Sequence, residues 1–317
     1  MKWWAAIFGT LLLVTNGHAQ TAWPTKFVRI LVPSSPGGGT DTIARLLGAH
    51  FSAALGQSFV IENRAGAGGL IGYQIAAQAS GDGYTLLVAP TTITSIHLVT
   101  NNPRFDVVRD FVPITQVVAS AQVLVVHPAI AARSVNELVA LARKSPNELT
   151  FASPGEGSVP HLAVELLKIV TGMPLTHIPY KGVAPALTDV VGGHVATMLV
   201  NVISARPHTG TGKLRALAVS SRKRIEALPD VPTVTEAGYG DYEALQWFGL
   251  FATAGTSPRI VSRLHTLTVA ALRDPDTKKR LAEEEPIGNA PQEFAQAIRA
   301  EVAKWTKVAR AANIQPK

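Results

Sequence analysis

Two glycine-rich turns, far apart in the chain, each follow a short apolar run and precede a helical pattern. The first, Ser34-Ser35-Pro36-Gly37-Gly38-Gly39-Thr40-Asp41, comes after Val28–Val32; the second, Ser153-Pro154-Gly155-Glu156-Gly157-Ser158, comes after Leu149–Ala152. A strand that ends in glycines and enters a helix leaves the first helical N–H groups without partners. Together with the positive end of the helix dipole, those groups make an anion site. Two such turns in separate halves of one chain predict a cleft that takes an anion from both sides. Neither turn is a nucleotide motif, because no lysine follows as in a P-loop. Gly66–Gly72 also misses the dinucleotide fingerprint, since Ile71 stands where the third glycine belongs.

Around the turns, apolar runs alternate with helical patterns almost throughout. Strands are predicted at Val28–Val32, Phe59–Glu62, Thr85–Ala89, Val123–His127, Thr150–Ser153, Thr176–Pro179, Val195–Leu199 and Arg215–Val219. A helix is predicted over Thr42–Leu55, where Ile43, Leu46, Leu47, Phe51 and Leu55 recur at spacings of three and four. Ser134 with Glu137 forms a capping box for Val135–Lys144, and Thr233 with Glu236 signals a second helix that Gly238 would end. Continuous apolar strands alternating with helices imply mainly parallel sheets covered on both faces. Two long stretches with few breakers, Phe111–His127 and Leu245–Thr253, read as strands crossing between two domains. Prolines open helical patterns at Pro258–Arg273, Pro275–Glu284 and Pro291–Ala312.

A chain of 317 residues exceeds the ~250 at which single cores stop growing, so two domains are expected. Residues 1–19 have the pattern of a cleavable export signal: Lys2, an apolar stretch from Trp3 to Val14, and small residues at Gly17 and Ala19. The apolar stretch is shorter than the ~20 residues of a bilayer span. Domain 1 is then expected at 20–121 together with 244–317, and domain 2 at 122–243. The predicted compartment is the periplasm. The formal charge of +7 is spread out, and the basic triplets Arg222–Arg224 and Lys278–Arg280 lack the interleaved aromatics of nucleic-acid platforms. A nucleic-acid partner is therefore not expected.

The chain contains no cysteine, hence no thiol nucleophile, and no Gly-x-Ser-x-Gly elbow. Ser158 and His161 lie close enough in sequence to suggest a serine hydrolase, yet residues three apart at a helix start more commonly cap it. Histidine spacings match no zinc motif, and neither metal nor cofactor is expected. Polar residues around the turns suit binding better. Hydroxyls come from Thr91, Thr92, Ser95, Ser153 and Ser158; Asn201, after Val195–Leu199, adds a donor and an acceptor.

From Lys26 to Ile314 the chain resembles the tripartite tricarboxylate transporter receptors, also called Bug receptors. The resemblance is carried by Pro36–Asp41, Glu62–Gly69, Asp82–Leu87, His177–Gly182, Gly212–Ala218, Leu228–Thr233 and Trp247–Leu250. It implies a type II periplasmic-binding-protein fold, two α/β domains closing on a small organic anion, with no catalysis. It also implies a monomer that hands its carboxylate to membrane transporter subunits, or alternatively signals to a membrane sensor. On this resemblance the ligand would meet Ser34, Ser35, Pro36, Gly37 and Gly38 in one domain, with Thr91 and Thr92. In the other it would meet Ser153, Gly155, Glu156, Gly157, Ser158, His161 and Asn201. The chain departs from the usual family pattern in three places. Ser35, preceded by Ser34, replaces one of the two prolines usual before the first glycines, Glu156 stands where asparagine is common, and Val200 where an acidic residue often precedes the asparagine. Glu156 would disfavour a second free carboxylate, so a monocarboxylate or a ligand with an apolar or cationic far end competes with a simple dicarboxylate.

Overall fold

In the computed structural model, residues 23–146, 148–180, 182–281 and 284–316 are described; the expected export signal lies outside them. Ten strands are described: β1 (Val28–Val32), β2 (Phe59–Asn63), β3 (Thr85–Pro90), β4 (Phe111–Val126), β5 (Thr150–Ser153), β6 (Thr176–Pro179), β7 (Thr197–Asn201), β8 (Arg215–Val219), β9 (Leu245–Thr253) and β10 (Glu285–Pro286). The helices are α1 (Gly39–Leu55), α2 (Leu70–Ala77), α3 (Val135–Lys144), α4 (Val159–Thr171), α5 (Val183–Val191), α6 (Val202–Thr209), α7 (Pro258–Arg273), α8 (Pro275–Arg280) and α9 (Pro291–Ala311).

The strand order is β2-β1-β3-β9-β4-β7-β5-β6, with β10 and β8 also paired to β4. β4 carries both halves. Its residues up to Ala121 pair with β9, and from Gln122 onward it pairs with β7 and β8. The order within each half is therefore the same, 2-1-3 followed by an antiparallel strand and a fourth: β2-β1-β3-β9-β4 and β6-β5-β7-β4-β8. This is the type II periplasmic-binding-protein arrangement. β9 begins beside the crossing, where Leu245 faces Ala121. Because β3 runs antiparallel to β9, its carboxyl end approaches the junction, with Pro90 opposite Phe248. β7 likewise ends at the junction, with Asn201 opposite Gln122. β1 is parallel to β3 and β5 is parallel to β7. The glycine turns that leave β1 and β5 therefore face the junction from opposite sides.

Each half-sheet is covered on both faces. In the first half, Ile30, Val32 and Val88 pack with Ile43, Leu47 and Phe51 of α1 and Leu264 of α7. Its other face packs Leu31, Leu87 and Phe251 against Tyr73 of α2 and Phe294 of α9. In the second half, Leu124 and Val126 meet Leu138, Leu162 and Leu167, and Val123 and Val125 meet Ala186 and Val190. α9 spans the two halves: Phe294 and Ile298 join the first lobe's core, whereas Trp305 and Val308 join the second's.

The capping predictions fare differently. Ser134 Oγ accepts the Glu137 N–H at 3.1 Å and opens α3 as expected. Thr233 and Glu236 do exchange hydrogen bonds, at 2.9 Å each way, but only a turn follows. Thr233 is tied to Val219 by a β-bridge, and Gly238, at φ +101°, closes the turn five residues later. Likewise α8 ends at Arg280, short of the predicted Glu284.

Gly72, in α2, lies against the start of the first turn. A Cβ there would come within 2.8 Å of the Pro33 Cα and 3.0 Å of the Arg64 carbonyl oxygen. Gly72→Ala should therefore cost about 1–3 kcal/mol by overpacking, measured as a lower urea midpoint with an unchanged slope.

Candidate functional site: an inter-lobe cleft

At the first turn, Ser35 to Gly39 are exposed and face the junction. Asp41 holds the turn from beneath. Its Oδ2 accepts the Gly37 N–H at 2.9 Å and the Arg45 Nε–H at 2.9 Å, and its Oδ1 accepts from Asn63 Nδ2 at 2.9 Å. The Asn63 amide also donates to the Ser34 carbonyl at 3.1 Å. The Arg45 bond, reinforced by the Gly37 and Asn63 donors, draws the Asp41 carboxyl down to about 2. Asp41 is thus an ionised brace with its charge already partnered, and it uses the Gly37 N–H for itself. The N–H groups of Gly38, Gly39 and Thr40 have no protein partner among the described residues. No side chain caps α1. Ser34 Oγ is buried and also has no protein partner. This collar of donors lies at the positive end of a 17-residue helix.

The second turn is built differently, because most of its polar groups are already used. Ser158 Oγ caps α4 by accepting the His161 N–H at 3.4 Å, and it donates to the Gly155 carbonyl at 2.7 Å. The Gly157 N–H donates to His161 Nδ1 at 3.1 Å. Ser153 Oγ lies 2.7 Å from His177 Nε2 and 3.2 Å from the Gly155 nitrogen. Gly157 is buried with φ +71°, and a Cβ there would fall 2.5 Å from Val99. Glu156 alone in this turn is exposed.

The lobes touch beside this turn. Ser95, buried in the first lobe, donates its hydroxyl to the Gly157 carbonyl at 3.2 Å. Thr91, expected to face the ligand, is fully buried. Its hydroxyl donates to the Trp247 carbonyl at 3.0 Å and accepts the Trp247 N–H at 2.6 Å, tying the end of β3 to β9. Thr92 remains partly exposed. Asn201 Oδ1 caps α6 by accepting the Ser204 N–H at 2.8 Å, which leaves its amide N–H groups. Phe248 underlies the first turn, 3.1 Å from where a Gly39 Cβ would stand, and Trp247 is buried against Phe251 and Phe294.

Ser158 and His161 do not form a dyad. Each uses its polar atoms on backbone groups, and the imidazole points to Gly157 rather than to the hydroxyl. His161 instead stacks on His177, with ring centroids 3.9 Å apart and planes 12° from parallel. His177 in turn stacks on Phe151 at 4.7 Å. Burial, helped by the positive charge of Lys168, pushes His161 down to about 3 and His177 down to about 4. Both are neutral at pH 7. His177 was not singled out from the sequence as a site residue. It reaches the site because the parallel register sets it beside Phe151, and single-sequence spacing carries no signal for that.

The comparisons agree with this geometry. Residues 43–314 match the model of the tripartite tricarboxylate transporter family receptors. The chain belongs to this family. BugT of Bordetella pertussis is 35% identical over 314 residues, covering 96% of each chain. Among solved structures, Rpa4515 of R. palustris with adipate is 38% identical, covering 93% of this chain and all of that one, with a TM-score of 0.80. MatC of Rhodopseudomonas palustris with bound malate is 31% identical, covering 90% and 99%, with a TM-score of 0.75. The family is one of solute-binding receptors rather than enzymes. No described helix is long and apolar enough to cross a membrane.

The buried imidazoles carry a pH consequence. Unfolded histidines take up protons near 6.5, whereas these two resist protonation down to about 3 and 4. Between those limits the unfolded chain binds more protons, so stability falls as the pH falls. Lys168 and a charged partner ring oppose protonation, while Glu156 and Glu165 nearby favour it. Urea midpoints should drop steadily from pH 6.5 to pH 4, and His161→Gln should flatten that slope.

Proposed function

We propose that this protein is a periplasmic receptor that captures a small organic carboxylate in the inter-lobe cleft and delivers it to a tripartite tricarboxylate-type membrane transporter. The lobes on this reading comprise residues 20–121 with 244–317, and 122–243, and they rotate about the strand crossings at Ala121–Gln122 and Ala244–Leu245. The observation that carries the reading is the collar at the first turn. Three backbone N–H groups at the uncapped start of α1, and the buried Ser34 hydroxyl in the turn before it, have no protein partner among the described residues. An anion there is bound by neutral donors and a dipole, without a lysine or arginine. Lobe closure would remove competing water and strengthen those bonds. The adipate and malate held by two relatives support a carboxylate as the ligand class.

The second lobe sets the far end of the ligand. Its turn has spent most of its donors internally, and Glu156 is exposed there. A second free carboxylate would meet that negative charge, so a neutral or cationic far end is favoured. The Asn201 amide is the hydrogen-bonding partner on this side, and Thr92 adds one from the first lobe.

Ligand-free protein should show a raised melting temperature with at least one carboxylate in a panel including adipate, malate and hexanoate. Affinity near micromolar, about −8 kcal/mol, would suit capture from dilute solution. Ser34→Ala should weaken binding about three- to tenfold. A panel without any shift, on protein verified as empty by native mass spectrometry, overturns the reading. Glu156→Gln should improve adipate binding severalfold over hexanoate binding, as read by calorimetry. Equal change for both would remove Glu156 from the account of the far end. Ser158→Ala should lower affinity modestly and abolish no turnover.

A further inference from the structure

We propose that His177 is a positioning residue for the second half of the cleft: as a neutral ring protonated on Nδ1, it accepts the Ser153 hydroxyl and thereby fixes the backbone of Gly155–Gly157. The proposal rests on the reading of the cleft as a carboxylate site, and it assigns a role to a side chain on β6 that would not itself touch the ligand.

The proton placement follows from counting donors and acceptors. The Gly155 carbonyl has two lone pairs. Ser158 Oγ–H takes one at 2.7 Å, and the Ser158 N–H approaches the other at 3.3 Å. Ser153 Oγ also lies near that carbonyl, at 3.1 Å, but would be a third donor to it. Its better partner is His177 Nε2 at 2.7 Å. With its proton given to His177, Ser153 Oγ keeps its lone pairs for the Gly155 N–H at 3.2 Å. His177 must then present a bare Nε2 and carry its hydrogen on Nδ1.

The neighbouring ring has the opposite tautomer. His161 Nδ1 accepts the Gly157 N–H at 3.1 Å, so its hydrogen lies on Nε2, toward Glu165 Oε1 at 3.9 Å. The two stacked rings thus hold the turn at both ends. His177 acts through Ser153 on Gly155, and His161 acts directly on Gly157. Between those two points sits Glu156, the exposed residue of the turn. The carbonyl of the same Gly157 residue accepts the inter-lobe bond from Ser95. A fault in the histidine pair would therefore move both the ligand-facing turn and the contact between lobes.

The short Ser153–His177 distance also resembles a nucleophile and its base. Ser153 is fully buried, however, and no substrate carbonyl could reach it. Positioning is the role its burial permits.

Two measurements on the full protein decide the matter. Long-range ¹H–¹⁵N spectra at pH 7 should show His177 as the Nδ1–H tautomer and His161 as the Nε2–H tautomer. His177 found protonated on Nε2, or doubly protonated, overturns the proposal. In calorimetry with adipate, His177→Ala should weaken binding about tenfold, and His177→Gln, which restores a polar atom near the Nε2 position, should recover most of it. Ser153→Ala should match His177→Ala, and the double variant should be no weaker than either single one. Additive losses, or wild-type affinity in a folded His177→Ala, overturn it. Should wild-type protein bind no carboxylate, the ligand reading fails by itself. The tautomers then still decide the proposal, together with the amide shifts of Gly155 and Gly157 in His177→Gln, expected to stay near wild type, and in Ser153→Ala, expected to move while those of Gly38 and Gly39 do not.

Discussion

Everything in this molecule depends on β4, the strand that runs through the junction of the lobes, and on the antiparallel β9 that pairs with it from that point. β4 belongs to both half-sheets, and β9 starts at the point where β4 changes partners. Because the two halves share one strand order on either side of the junction, the carboxyl ends of β1, β3, β5 and β7 converge on one place. Parallel sheets put their ligand sites at carboxyl ends, so a shared cleft follows from the pairing. The crossing is also where rotation would be absorbed. Gln122 Nε2 reaches Gln246 Oε1 at 3.5 Å across the two strands, while Ser220 Oγ accepts the Gln122 N–H and donates to the Ala244 carbonyl. These bonds fasten both crossings to one another.

The two glycine turns look alike in sequence and differ in chemistry. In the first, an aspartate, an asparagine and an arginine brace the loop from the protein side, and the helix start is left uncapped. In the second, a serine caps the helix and two histidines consume the remaining polar groups. One lobe therefore keeps neutral donors without protein partners among the described residues, and the other presents an exposed carboxylate and a contact to the first lobe. On the function proposed above, such a receptor would discriminate at the far end of a ligand while gripping its carboxylate generically. The stacked imidazoles show how a polar network can be buried without charge: each nitrogen that faces a donor is left bare, and burial then keeps the rings neutral.

α9 adds a second physical link between the lobes. A helix of 21 residues is about 30 Å long, enough for Phe294 to fill the core beside Trp247 while Trp305 fills the core beside α4. Any rotation of the lobes would have to be accommodated along this helix as well as at the strand crossings.

The chain's own order of residues determined the main strands, the limits of α3, α7 and α9 to within a residue, and the presence of a helix start behind each glycine turn. Those features depend on local periodicity, on prolines such as Pro258 and Pro291, and on caps such as Ser134. It also determined membership of the family, since Pro36–Asp41 and Trp247–Leu250 are legible without coordinates. Only tertiary structure decided which polar groups remain for a ligand. Thr91 gives its hydroxyl to Trp247, Ser95 to Gly157, and Gly157 its N–H to His161, all partners brought together by pairing between distant segments or by the fold of a turn. His177 is the clearest case, because its role depends on register against Phe151 across an intervening helix. The Thr233–Glu236 turn shows the same limit from the other side, with a complete local helix signal that yields only a turn beside the β-bridge to Val219. A hydrogen bond is used once, and who uses it is settled by what folds nearby.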